Sequence, residues 1–315
     1  MTRTCSVQGS VPAAVTIVEV SPRDGLQVEE RVLRTDAKLE LLERLADCGH
    51  QVIEATSFVR AVPQLADADE LMRRLRRREG VRYPVLVPNE RGLERALAVG
   101  VREIAVFASA SETYSRKNLG RGRDEAIDGY REVIRTAKAA GLRVRGYVSM
   151  AIADPWEGPT PVASAVDAGM RLFAFGADEV CLGDTIGVGT QREVRALLRG
   201  YLDRGVLPSV LAVHFHDTYG QGLANVLSAL ELGVTTIDAS AGGIGGSPFA
   251  RTAAGNLATE DLLWSLDGSG IRTGVDVQKV ADVSVWLGEQ LGHAPAGRVA
   301  RALGDARRRS AAARL

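Results

Sequence analysis

Runs of apolar, often β-branched residues recur along the chain, with helical spacing between them. "AVTIVEV" (14–20), "HQVIEATS" (50–57), "RYPVLVP" (82–88), "EIAVFAS" (103–109), "LRVRGYVS" (142–149), "DEVCLGD" (178–184), "SVLAVHFH" (209–216) and "TTIDASA" (235–241) read as eight buried strands. The intervening segments, such as "DAKLELLERLADCG", "DEAIDGYREVIRTAKAAG" and "PVASAVDAGMRLFAFG", repeat apolar positions near the helical period. Gly49, Gly100, Gly141, Gly176 and Gly233 close helical segments just before the next strand, where the chain must turn left-handed. Eight βα units without a composition break predict a closed (β/α)8 TIM barrel rather than an open doubly wound sheet, which usually has fewer strands. A single domain over residues 1–315 is expected, with the barrel over about 15–270 and one or two additional C-terminal helices over about 271–315.

A barrel places its active site at the C-terminal ends of its strands, and polar residues collect there. The first strand leads to Glu19, Arg23 and Asp24, and the second carries Glu54, Thr56 and Ser57. The sixth ends in Asp184 and Thr185, the seventh in His214, His216 and Asp217, and the eighth runs into the small-residue loop "AGGIGGSPFARTAAGN". Residues two apart on a strand face the same side, so His214 and His216 both look into the barrel while Phe215 faces the helices. Two such imidazoles can share a metal ion, and Asp24 can add a hard oxygen; two hydrogen-bonded core histidines are the alternative. Nitrogen and oxygen donors without cysteine suit a divalent cation, Mg2+ or Mn2+ ahead of Zn2+ or Co2+.

Composition narrows the partners. Hydrophobic residues make up 45% and aromatics 5%, so Ala, Val, Leu and Ile must build the core. Lys plus Arg and Asp plus Glu both number 39, and this balance gives no basic surface for nucleic acid or an anionic membrane. A small-molecule partner is expected. Cys5, Cys48 and Cys181 suggest neither a disulfide framework nor a thiolate zinc site, and no stretch reads as an export signal or a membrane span. A cytoplasmic protein is therefore expected.

The segments "VEVSPRDGLQ", "IEATSFV" with "VPQLAD", "VRGYVS", "LGDTIGVGT", "AVHFHDTYGQGLANVLSALELGV" and "GGIGGSPFARTAAGNLATEDLL" closely resemble the 3-hydroxy-3-methylglutaryl-CoA lyase family of metal-dependent TIM-barrel enzymes. The likeness runs in order from about residue 16 to about 280. HxHDTYGQ and GNLATEDL separate it from the related isopropylmalate and homocitrate synthases. The resemblance implies that Asp24, His214, His216 and Asn256 are metal ligands and that Arg23 is the catalytic arginine. Asn256 reads otherwise as a turn or helix cap before "LATEDLL". Glu54 and Asp184 match polar residues lining the family's site and either act directly or orient Arg23 or a histidine. The implied reaction is retro-Claisen cleavage of a 3-hydroxyacyl-CoA to acetyl-CoA and a keto acid, as in leucine degradation. His214 or a carboxylate takes the hydroxyl proton, and Arg23 stabilises the enolate. A homodimer is expected, since barrels of this kind often form dimers.

One position departs from the family. Its members carry a catalytic cysteine in a GGCP context, whereas this chain has "GGSP" with Ser247. A hydroxyl is a much weaker acid than a thiol, whose ordinary pKa is about 8.5. Three readings follow: a lyase using Ser247 or water, a lyase or aldolase for another hydroxyacyl-CoA or 2-oxo acid, or a relative that only binds CoA esters. The glycines of the loop can permit closure over substrate or simply a sharp exit from the strand. Arg116, Lys117, Arg121 and Arg123 read as contacts for CoA phosphates or as a solvated loop.

Overall fold

The computed structural model describes residues 11–247 and 250–304, with the side chains of 247 and 250–254 outside that description. Its strands are β1 (Thr16–Glu19), β2 (Val52–Ile53), β3 (Thr56–Ser57), β4 (Val85–Leu86), β5 (Glu103–Ser109) and β6 (Arg143–Ser149). They continue with β7 (Ala153–Asp154), β8 (Gly158–Pro159), β9 (Glu179–Asp184), β10 (Leu211–Phe215), β11 (Thr236–Ala239), β12 (Gly246–Ser247) and β13 (Ala250–Ala254). The helices are α1 (Thr35–Asp47), α2 (Ala68–Arg74), α3 (Glu90–Ala98), α4 (Glu112–Leu119), α5 (Arg123–Asp128), α6 (Tyr130–Ala139), α7 (Val162–Phe175), α8 (Gln191–Leu202), α9 (Gly222–Glu231), α10 (Thr259–Gly268) and α11 (Val277–Leu291).

The principal sheet is parallel, in the order β2-β1-β11-β10-β9-β6-β5-β4-β3. Its two ends are halves of one strand interrupted at Glu54 and Ala55: β2 pairs with β1 and β3 pairs with β4. The Glu54 amide donates to Glu19 on one side and the Ala55 amide to Pro84 on the other, so the interrupted strand joins both neighbours and the sheet closes on itself. The eight strands expected from the apolar runs are thus present, in a TIM barrel.

Alternation then sorts side chains. Ile104, Val106, Leu182, Val213 and Phe215 pack outward with the helices in the main core. Leu86, Ala105, Tyr147, Cys181 and Ala212 form a separate cluster inside the barrel. Local chemistry sets the helix ends: the Asn89 side chain accepts from the Gly92 amide at the start of α3, and Thr190 with Glu193 forms a reciprocal cap on α8. Gly176 ends α7 at φ 111°, a conformation that favours glycine. The long segment read as one helix over 124–141 is broken at Gly129 into α5 and α6. Beyond the barrel, α11 and a helical segment over 298–304 form the C-terminal addition. No helix among the described residues is long and apolar enough to cross a membrane.

Candidate metal centre and active site

Just after β1 the backbone forms a one-turn π-helix, Ser21–Gly25, which places Arg23 and Asp24 side by side at the barrel mouth. Gly25 allows a close approach there: a Cβ would come within 2.8 Å of the Ile244 side chain and 2.9 Å of the Ser240 hydroxyl, and these would have to move. Glu19, fully buried, secures the surrounding loops. Its Oε1 accepts from the amides of Ser21 and Ala241, at 2.9 and 3.0 Å, and its Oε2 from the Thr259 hydroxyl at 2.7 Å. One carboxylate therefore joins the Arg23–Asp24 turn, the glycine-rich loop and the segment following Asn256.

His214 and His216 project from the end of β10 with their Nε2 atoms 3.2 Å apart, and Asp24 Oδ2 lies 3.8 Å from His214 Nε2. One donor atom from each of Asp24, His214 and His216 falls within 4.8 Å of the others. Two Nε2 atoms facing each other need either a proton on one of them or a cation between them, and His216 Nδ1 is buried without a partner. The three residues thus form a nitrogen-and-oxygen donor set that fits a divalent cation. Burial opposes the charge on Asp24, but Arg23 and then the two imidazoles outweigh it and bring the carboxyl down to about 2. Burial, followed by the neighbouring His214, pushes His216 down to about 3, leaving it neutral and able to donate a lone pair. Asn256 is adjacent, its Nδ2 donating to Asp24 Oδ2 at 2.9 Å and to the Ile244 carbonyl at 3.1 Å. Ligation through its oxygen would require the amide to turn about its terminal torsion.

Arg23 is held rigidly. Its Nε donates to Glu54 Oε2 at 2.7 Å, its Nη1 to Asp24 Oδ1 at 2.5 Å, and its guanidinium carbon lies 5.3 Å from the centre of the Tyr147 ring. Burial raises Glu54 above the ordinary carboxylate range despite Arg23, and its Oε1 has no partner. Above this base opens a cavity of about 620 Å3 whose walls include Arg23, Asp24, His214, Tyr147, Phe107 and Leu86. Its volume suits a substantial organic ligand.

The structure therefore gathers Arg23, Asp24, Glu54, His214, His216 and Asn256. It does not bring Asp184 to them. Gly183 and Thr185 line the cavity, while Asp184, between them on the strand, faces the other side. There its Oδ2 accepts from the Gly189 amide at 2.8 Å, and burial raises it to about 6. Its position is that of a brace for the turn after β9. Ser247 pairs with Ala250 through the β12–β13 backbone, but its side chain lies outside the described residues. The segment after β5 read as a loop is largely helical, with Arg116 and Lys117 on α4 and Arg123 opening α5, and of its four basic residues Arg121 lines the cavity. Arg116 pairs with Glu112, Lys117 lies over Trp156 and Arg123 pairs with Asp167.

Sequence reasoning assigned no role to Arg145, Tyr147 and Asp238, which form a buried polar line beneath the site. Arg145 Nη2 donates to Asp238 Oδ1 at 2.6 Å, and the Tyr147 hydroxyl lies 3.1 Å from Asp238 and 3.3 Å from Glu54. Their signal was present as charged and hydroxyl groups at alternate positions of otherwise apolar strands.

A family profile described as HMGL-like matches residues 14–286. The cytoplasmic 3-hydroxy-3-methylglutaryl-CoA lyase of Mus musculus is 46% identical over 94% of this chain and 87% of its own length. The structure of hydroxymethylglutaryl-CoA lyase from Pseudomonas aeruginosa superposes with a TM-score of 0.90 at 40% identity, covering 93% of this chain and 98% of that one. An HMG-CoA lyase from Acinetobacter baumannii, solved with coenzyme A and 3-methylmalate, gives 0.88 at 33% identity over 92% and 95%. With the profile spanning the barrel and the donor triad beside Arg23 at its mouth, the chain belongs to the HMGL-like family.

Proposed function

We propose that the protein is a divalent-metal-dependent carbon-carbon lyase that cleaves 3-hydroxy-3-methylglutaryl-CoA to acetyl-CoA and acetoacetate. The observation carrying this is the donor triad Asp24, His214 and His216 beside a buried, doubly held Arg23 at the base of a cavity, in a chain of this family. Asp24, His214 and His216, with Asn256 after rotation of its amide, would hold the ion, Mg2+ or Mn2+ by donor type. A bound ion would supply Lewis-acid chemistry, making a substrate hydroxyl easier to deprotonate.

The chain's own groups carry the rest. The hydroxyl must lose its proton as the bond between C2 and C3 breaks; the bonding pair passes into a thioester enolate, and C2 then takes up a proton. Arg23 is permanently cationic, and Glu54 and Asp24 hold it before any charge develops, which suits it to the enolate oxygen. His214 has Nδ1 turned to Asp238 and Nε2 turned to the triad, so as a ligand it has no nitrogen left to accept the proton. Glu54, with Oε1 unpartnered, is the carboxylate assigned that task. The final proton comes from Ser247 or from water.

The chain is read as one domain acting in the cytoplasm as a homodimer on an acyl-CoA. Arg121, in the cavity wall, is the basic residue we assign to the CoA phosphates. Acetyl-CoA release from 3-hydroxy-3-methylglutaryl-CoA, with Mg2+ or Mn2+ and then with excess chelator, tests the proposal. Metal-dependent release supports it, and release indifferent to chelation would defeat the metal assignment. A Ser247→Cys variant run beside it separates a lyase that works with serine from a CoA-ester-binding relative, for which only the cysteine variant turns over.

A further inference from the structure

His214 is a strand residue with a partner directly across the sheet. In the β10–β11 register it sits opposite Asp238, and Asp238 Oδ2 lies 3.2 Å from His214 Nδ1. Asp238 is itself immobilised: Oδ1 accepts from Arg145 Nη2 at 2.6 Å, and Oδ2 takes the Tyr147 hydroxyl at 3.1 Å and faces the Cys181 thiol at 3.7 Å. Arg145 is anchored in turn by Glu179 at 2.9 Å. The carboxylate is 2% exposed, so water does not compete for its lone pairs. With the Arg145 guanidinium 2.6 Å from Oδ1 and the Tyr147 hydroxyl 3.1 Å from Oδ2, the carboxylate is surrounded by donors and serves as an acceptor.

An imidazole facing a fixed acceptor at Nδ1 must put its proton there, and its lone pair then rests on Nε2. His214 Nε2 is the atom that faces Asp24 and His216. We infer that Asp238 is a positioning residue for the metal centre: it fixes the Nδ1–H tautomer and ring orientation of His214, and Arg145 and Tyr147 fix Asp238. The same Tyr147 hydroxyl lies 3.3 Å from Glu54, which holds Arg23, so the two halves of the site share one buried support.

The inference rests on Asp24, His214 and His216 holding a divalent ion, and the test separates the two claims. In the intact metal-free protein, long-range 1H–15N correlation of the imidazoles, assigned by single histidine substitutions, reports the tautomer directly. Nδ1–H on His214 is expected; a predominant Nε2–H tautomer would overturn the inference whatever the variants do. Titration with Mn2+, followed by the loss of free-ion EPR signal, then compares the unaltered protein with Asp238→Asn and with Cys181→Ala. The asparagine variant should bind Mn2+ about 10- to 100-fold more weakly, as expected for loss of a ligand's outer partner. Cys181→Ala removes another neighbour of the same oxygen and should leave the affinity within about threefold, below the range expected for losing an outer partner. Equal affinity in Asp238→Asn, or equal weakening in both variants, would also overturn it. Failure of the unaltered protein to bind Mn2+ would instead defeat the metal centre, and the tautomer would still decide the geometry of His214.

Discussion

The two ends of the barrel use the same side-chain types to opposite ends. At the N-terminal rim, Glu103 pairs with Arg82 at 2.9 Å and with Arg143 at 3.3 Å, and Arg143 and Arg145 pair with Glu179 at 3.2 and 2.9 Å. Positive and negative groups alternate and pair with one another, although the Nε atoms of Arg143 and Arg145 are buried without a hydrogen bond. At the C-terminal mouth, Arg23 takes only part of the available negative charge, two imidazole nitrogens face each other, and Glu54 Oε1 and His216 Nδ1 have no partner. Donor atoms that face one another beside a cavity, rather than polarity, burial or an unpartnered atom as such, distinguish the reactive end. Opposite charges set against one another hold a barrel shut; converging lone pairs beside a cavity hold places for an ion and a substrate.

Substitutions can break this contrast in order of size. Removing a donor from the mouth should be most severe. His216→Ala should lower metal-dependent acetyl-CoA release by more than the roughly 10- to 100-fold that an outer partner is worth, and should abolish Mn2+ binding with little change in circular dichroism. At the other end the loss should appear in stability. Arg145→Met leaves Asp238 buried without its arginine and Glu179 with Arg143 alone, and should cost about 3–5 kcal/mol, read from the urea unfolding midpoint. Arg23→Met should reduce kcat by about 10²–10³ with a smaller effect on KM, because the interaction matters most as the enolate forms. Equal effects on substrate binding and turnover would argue for a purely ground-state role.

A smaller effect concerns His50, which lies behind the site with Nε2 3.6 Å from Glu19 and neither ring nitrogen hydrogen-bonded. Burial lowers it to about 3 from an ordinary 6.5, so between those values the unfolded chain binds a proton that the folded one refuses. Its contribution to stability is therefore full above about 6.5 and declines as pH falls toward 3, by up to about 1.4 kcal/mol per pH unit. His50→Gln should flatten the pH dependence of the thermal midpoint over that window. Smallest of all, Glu103→Gln should cost no more than about 1 kcal/mol, because its partners Arg82 and Arg143 are 44% and 41% exposed and water replaces much of the pairing.

Much of this was legible in the chain. The eight apolar runs became eight barrel strands because a strand buried on both faces is apolar almost throughout, so its interruption by His214 and His216 stood out at once. The alternation that put both imidazoles inside is a property of any strand. Strand phase also decided against Asp184. Being one residue from Gly183 and Thr185 places it on the opposite face, a distinction that proximity to a strand end could not make.

What the sequence by itself determined is the βα alternation, the closed barrel and the rim on which its chemistry gathers, since these follow from periodicities that act over a few residues. Only the tertiary structure decided which charges meet. Asp24 and Asn256 are 232 positions apart, and Arg145 and Asp238 are 93 apart. Their pairing depends on closure of the sheet and the register of its strands, and neither leaves a local trace in the order of residues.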